Sequence, residues 1–158
     1  MIATPTLAAS AEPAVEIGDR SRIYRTEFGF DTLVASRTGA VHVTTASVSG
    51  VMTTPTLGRK VITRLDSVPV FSVDHGGHRL WVLLADPASS SAEVQRMTLR
   101  LFALDAMPVV AHSTIALPTP GDPRRVWLYP PAGRTRPALA ELVDAVADAA
   151  TRDGGQHA

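Results

Sequence analysis

Residues 68–87 read VPVFSVDHGGHRLWVLLADP, two apolar runs joined by Gly76-Gly77. No other stretch restricts the fold as much. Glycine takes positive φ angles without a Cβ penalty, so a Gly-Gly pair between strand-forming arms signals a two-residue hairpin turn. The second arm, HRLWVLLA, is apolar without interruption from Leu80 to Ala85. A strand with one wet face alternates apolar and polar residues, whereas a continuous run predicts a central strand buried on both faces.

The segments around this hairpin carry their own local signals. DTLVAS and VHVTTASV flank the turn RTGA, which predicts a hairpin of 31–36 with 40–47. Thr54 and Pro55 form a helix start, and Leu57, Val61, Ile62 and Leu65 then fall on one face. Gly58 opposes this helix, by about 1 kcal/mol relative to alanine. Ser90 and Glu93 have capping-box spacing ahead of a stripe of Val94, Met97, Leu101 and Leu104, with Pro108 beyond the end. VVAHSTIALP and RRVWLYPP read as a third strand pair joined by PTPGDP. Thr135 and Pro137 open a last helix with the stripe Leu139, Leu142, Val143 and Val146. RIYRTEFGF reads as an opening strand.

The expected order is strand–strand–helix, three times. It predicts an α+β fold with one mostly antiparallel sheet of about six strands and about three helices on one face. The units share no sequence identity. A chain of 158 residues suits a single domain. Its ordered part is expected at 21–151, between a disordered tail at 1–20, rich in Ala, Pro, Ser and Thr, and a polar tail at 152–158.

Composition narrows the functions. There is no cysteine, which excludes disulfides, Cys-ligated zinc and thiol catalysis, and fits a reducing cytoplasm. Formal net charge is zero, with 15 basic and 15 acidic residues, whereas nucleic-acid binding domains are usually basic. Lys60 is the one lysine; the remaining basic residues are arginines, as a GC-rich codon bias would produce. No run approaches the ~20 apolar residues of a transmembrane helix. The first 19 residues lack the basic and apolar regions of a secretory leader. The chain is expected to be cytoplasmic and to have no membrane contact.

His75 and His78, with Asp74, flank a tight turn rather than sharing a strand face, which suits solvated turn residues better than a zinc site. His42, His112 and His157 show no ligand spacing, so no metal site is expected. Gly76-Gly77 could offer backbone N–H groups to an anion, but no P-loop and no G-x-G-x-x-G occurs. Ser36, Ser47, Ser49, Ser72 and Ser113 stand outside any G-x-S-x-G elbow, and His112 directly precedes Ser113. Ser89, Ser90 and Ser91 suit a helix cap. Asp66, Asp74, Asp86, Asp105 and Asp122 sit at predicted element ends, where carboxylates start turns. The segment GDPRRVWLYPPAGRTRP interleaves Arg124, Arg125, Arg134 and Arg136 with Trp127 and Tyr129. Such a strand can stack bases and neutralise phosphates, can anchor a protein partner, or can bury its tryptophan while its arginines are solvated.

GGHRLWVLLADP, LFALDAMPVVAHSTIALPTP and RRVWLYPPAGRTRPALAELVDAV resemble a group of short, uncharacterised proteins of high-GC Gram-positive bacteria, over residues 50–148. More remotely, the layout resembles the catalytic domain of bifunctional primase–polymerases. That resemblance implies an early D-x-D strand for divalent metal, a GG-x-H strand for nucleotide phosphates and a later segment ending in tryptophan. Here GAVHVTTASV carries no acid. Gly76 and Gly77 match, Arg79 stands at the histidine, and His78 is one place early. ALPTPGDPRRVW matches the last segment and ends in Trp127. Two-metal phosphoryl transfer needs carboxylates to hold the ions. The resemblance therefore implies a non-catalytic relative in which Arg79 could hold a phosphate.

Taken together, the residues point to a small non-enzymatic interaction domain without a cofactor, acting on a protein partner or on its own copy. The alternative is a binder of nucleotides or single-stranded nucleic acid. The candidate contact residues are Arg79, Arg124, Arg125, Trp127 and Tyr129.

Overall fold

In the computed structural model the chain is described over residues 13–35, 37–109 and 114–154. The elements run α1 (Pro13–Glu27), β1 (Thr32–Val34), β2 (Val41–Thr44), β3 (Ser49–Thr53), α2 (Pro55–Ile62), β4 (Val70–His75), β5 (His78–Ala85), α3 (Ser91–Phe102), β6 (Met107–Pro108), β7 (Thr114–Ala116), β8 (Arg125–Tyr129) and α4 (Leu139–Gly154). The fold is α+β, as expected from the sequence. The strands form two antiparallel sheets rather than one, a five-stranded sheet in the order β6-β3-β5-β4-β8 and a three-stranded sheet in the order β1-β2-β7.

β5 is the central strand of the larger sheet. Its residues alternate between two cores. Trp81, Leu83 and Ala85 join Val51 and Val70 against Leu57 and Val61 of α2, Leu101 of α3, and Leu139, Leu142, Val143 and Val146 of α4. Val82 and Leu84 enter a second core with Phe71, with Val41, Val43 and Ile115 of the small sheet, and with Tyr24 of α1. Covering one face with helices leaves the other face of a doubly apolar strand in water. The small sheet and α1 supply that missing cover, which is why one sheet with helices on one face does not suffice.

The local signals produce their elements where one element decides them. Gly76 and Gly77 have φ of 58° and 82°, the positive pair of a tight hairpin turn joining β4 to β5. β1 pairs with β2 from Thr32↔Val43 to Val34↔Val41. The Thr54 hydroxyl caps α2 by accepting the Leu57 N–H at 3.3 Å. Ser90 caps α3 by accepting the Glu93 N–H at 3.2 Å, while the Glu93 carboxylate turns back to Ser89, accepting its hydroxyl at 2.9 Å and its N–H at 3.3 Å. Gly58 has a packing reason: a Cβ there would lie 2.5 Å from Cε3 of Trp81, so the helix gives up propensity to admit the indole.

Three further expectations differ from the structure. RIYRTEFGF is not a strand; residues through Glu27 belong to α1, which begins at Pro13, inside the segment expected to be a tail. Ile17, Ser21, Tyr24 and Phe28 recur at helical spacing and face the second core or the buried bond between Ser21 Oγ and Thr32 Oγ1 at 2.8 Å. A serine in the stripe hides the period. Next, the strands in VVAHSTIALP and RRVWLYPP do not pair with each other. β7 joins β2 in the small sheet, and β8 joins β4 in the large one. Finally, α4 continues to Gly154, past the boundary expected at 151. Ser36, His112, Ser113 and His157 lie outside the described residues.

No helix among the described residues is long and apolar enough to cross a membrane.

Candidate functional site

β8 is one of the two edge strands of the large sheet and holds four of the five candidate contact residues within it or beside it. The turn that delivers it is built on Gly121, at φ 87°, and Asp122. The Asp122 carboxylate accepts the Arg124 N–H at 3.0 Å and the Arg125 guanidinium at 2.8 Å. Burial alone would push this carboxyl up, but those two hydrogen bonds and the arginine charges outweigh it and hold it below the usual carboxylate value. Arg124 is the freer of the pair: its side chain is 68% exposed, and its Nε lies 3.7 Å from Asp122 Oδ1.

The β4 ladder decides where each side chain points. Val73↔Arg125, Ser72↔Val126 and Phe71↔Trp127 are followed by a register shift, so that Val70 stands opposite Tyr129. Arg125 and Trp127 share a face with Phe71 and Val73, toward the small sheet. Val126 and Tyr129 take the helix face, where Tyr129 stands edge-on to Trp81 at 6.4 Å. Trp127 is half-buried; its Nε1–H donates to Tyr24 Oη at 2.8 Å, and that hydroxyl donates to the Pro118 carbonyl at 2.6 Å. Burial pushes the Tyr24 phenol up and keeps this relay protonated. Phe71 meets the indole edge-on at 5.5 Å. The indole of Trp127 thus ties α1 and the loop before β8 to the large sheet.

Arg79 lies elsewhere. It stands on β5 beside the hairpin turn, opposite Asp74, and its Nε bonds that carboxylate at 3.2 Å. The structure therefore brings Arg124 and Arg125 together, places Trp127 on their face of the sheet as a packing residue, and sends Tyr129 and Arg79 to the other face. His75 and His78 are opposed across the turn and exposed. Among the described residues no group of three or more His, Asp and Glu is placed to hold a metal ion.

The outer edge of β8 is its distinguishing surface. Among the described strands none pairs with it. The Asp74 N–H donates to the Arg124 carbonyl at 2.9 Å, and the alternation of an antiparallel ladder then turns Val126 inward and the N–H and C=O of Arg125 and Trp127 outward. Val126 is 51% exposed, Leu128 37% and Tyr129 47%. Leu128 and Tyr129 also line a groove of about 340 Å³ with Ile62, Leu65 and Val68.

Arg134 and Arg136 act as braces. The buried Arg136 side chain donates to the Phe28 carbonyl at 2.7 Å and to Asp86 at 3.2 Å, with its guanidinium 4.9 Å from the Phe30 ring centroid. Arg134 donates to the Thr26 carbonyl at 3.0 Å. Both satisfy carbonyls at the end of α1, where a cation also meets the negative end of the helix dipole. Nothing local in the sequence marks them, because their partners lie far back in the chain.

No family model, no curated protein and no solved structure matches this chain.

Proposed function

We propose that the chain is a non-enzymatic cytoplasmic interaction domain that associates with a second copy of itself through the free edge of β8. The observation that carries this reading is a five-residue edge strand whose outward backbone groups meet no described strand and which carries three half-exposed apolar side chains. Such an edge is a template for another strand. A second copy fits it by self-complementarity. An antiparallel pair centred on Trp127 sets Val126 opposite Leu128 of the second copy. Apolar meets apolar, and no like charges face each other. Pro123 before the strand, with the register shift at Leu128 and Pro130-Pro131 after it, keeps the pairing short. Using the same edge on both copies closes a two-fold dimer instead of starting a fibre.

Sedimentation over a concentration series tests this reading. The wild type should pass from monomer to dimer below about 1 mM, the weak limit of specific association. Val126→Asp/Leu128→Asp, two half-exposed positions, should stay folded and monomeric throughout. A wild type that remains monomeric, or a variant that dimerises equally well, contradicts the reading.

The nucleotide-binding alternative is disfavoured, since Arg79 and Arg125 lie on different faces of the sheet and the Trp127 N–H is engaged. Its surviving part is the arginine pair.

A further inference from the structure

We infer that the groove between the β1–β2 turn and the β7–β8 loop is an anion site that takes the phosphoryl group of a small phosphate ester. The groove encloses about 430 Å³ and is lined by Thr38, His42, Asp122, Arg124 and Arg125 among others. That volume lies within the range of small-molecule sites. It opens on the small-sheet side of β8, so it does not depend on the outward backbone groups that would pair two copies.

The donors in this groove have spare capacity. The Arg125 side chain is 22% exposed, and one of its terminal nitrogens is fixed by Asp122 at 2.8 Å. A guanidinium carries five N–H donors in a rigid fork, so one anchored nitrogen leaves the others to a second anion in a set orientation. Arg124 contributes a more mobile charge. His42 is held through Nδ1 by Thr114 Oγ1 at 3.0 Å, and Nε2 has no partner among the described residues. The Thr38 hydroxyl oxygen accepts the Ala40 N–H at 3.3 Å and keeps its own proton to donate.

The charges that face one another here are Arg124, Arg125, Asp122 and His42. With His42 neutral, two arginines against one carboxylate leave a net single positive charge. Asp122 has each oxygen engaged, one by the Arg124 N–H and one by the Arg125 guanidinium, so it acts as the anchor of the pair. Burial first, and the Arg125 charge second, hold the His42 imidazole below its ordinary value. A phosphoryl dianion would reverse the second effect: it neutralises Arg125 and offers His42 a negative partner. Ligand binding and His42 protonation are thereby linked, each favouring the other.

The test follows the His42 ring proton by NMR through a pH titration of the full chain. Inorganic phosphate, adenosine monophosphate and sodium chloride at matched ionic strength are the three additions. Chloride corrects for screening of Arg125, which would itself raise His42. The inference predicts that phosphate raises the His42 midpoint by about one unit beyond chloride, the size expected for an opposite charge in contact. Arg125→Gln should lose that rise. Arg124→Gln, at an exposed position with little to disturb in the fold, should reduce it. Equal effects of phosphate and adenosine monophosphate assign the site to the phosphoryl group alone; a stronger effect of the nucleotide assigns it to a nucleoside phosphate. The same rise in the monomeric Val126→Asp/Leu128→Asp variant separates this site from self-association. No rise beyond chloride with either phosphate, or an undiminished rise in both arginine variants, overturns the inference.

Discussion

Two strands of the large sheet carry nearly the same five residues. β5 contains Arg79-Leu80-Trp81-Val82-Leu83, and β8 is Arg125-Val126-Trp127-Leu128-Tyr129. Their fates are opposite. Trp81 is 6% exposed and lies against Gly58 in the helix-side core, under the Arg59 guanidinium at 5.5 Å. Trp127 turns to the other face, half-buried, with its N–H committed to Tyr24. Val82 is 2% exposed and Val126 51%. What separates them is the continuation. β5 runs on through Leu84 and Ala85 between neighbours on both sides, while β8 meets Pro130 and Pro131, which lack an N–H for the ladder. A basic-aromatic strand therefore specifies a strand, and its flanks and register specify whether it becomes core or edge.

Variants at the two tryptophans should break this symmetry most strongly. Trp81→Ala removes a fully packed indole and should destabilise the fold by about 3–5 kcal/mol. Trp127→Ala removes a half-buried one and should cost about 2 kcal/mol, in proportion to the smaller area returned to water. Trp127→Phe keeps most of the ring and loses one donor, for about 1 kcal/mol, since Tyr24 still bonds to Pro118. Urea unfolding curves rank the three. Equal losses for Trp81→Ala and Trp127→Ala would refute the distinction between core and edge.

A smaller effect sharpens the β5 half of the comparison. Gly58→Ala should gain about 1 kcal/mol of helix propensity, yet destabilise the protein overall because overpacking against Trp81 costs about 1–3 kcal/mol. In a Trp81→Leu background the same change should become neutral or stabilising. A Gly58→Ala variant that is stabilised with Trp81 intact would remove the packing explanation for this glycine.

The elements legible in the sequence are those decided within one segment. The Gly-Gly hairpin, the Thr54 and Ser90 caps and the stripe Leu139, Leu142, Val143 and Val146 each depend on neighbours along the chain. Partnerships across the chain were not legible. VVAHSTIALP and RRVWLYPP are consecutive, and consecutive strands often pair, but Ile115 is needed under Val41 and Val43 while Trp127 is needed over Phe71. The two strands reach the same core from different sheets. α1 is not legible because Ser21 interrupts its inner face. Within the candidate set, Arg124 and Arg125 do form a pair through Asp122, but His42 joins their groove only because β2 brings it there.

The most direct test of the open edge is backbone amide hydrogen exchange, measured in dilute and in concentrated protein. The Val126 amide, bonded to β4, should be protected at both concentrations. The Arg125 and Trp127 amides should exchange freely when dilute and become protected as copies pair. If those two amides exchange at one rate across the whole series, fast or slow, while Val126 stays protected, β8 does not pair with a second copy.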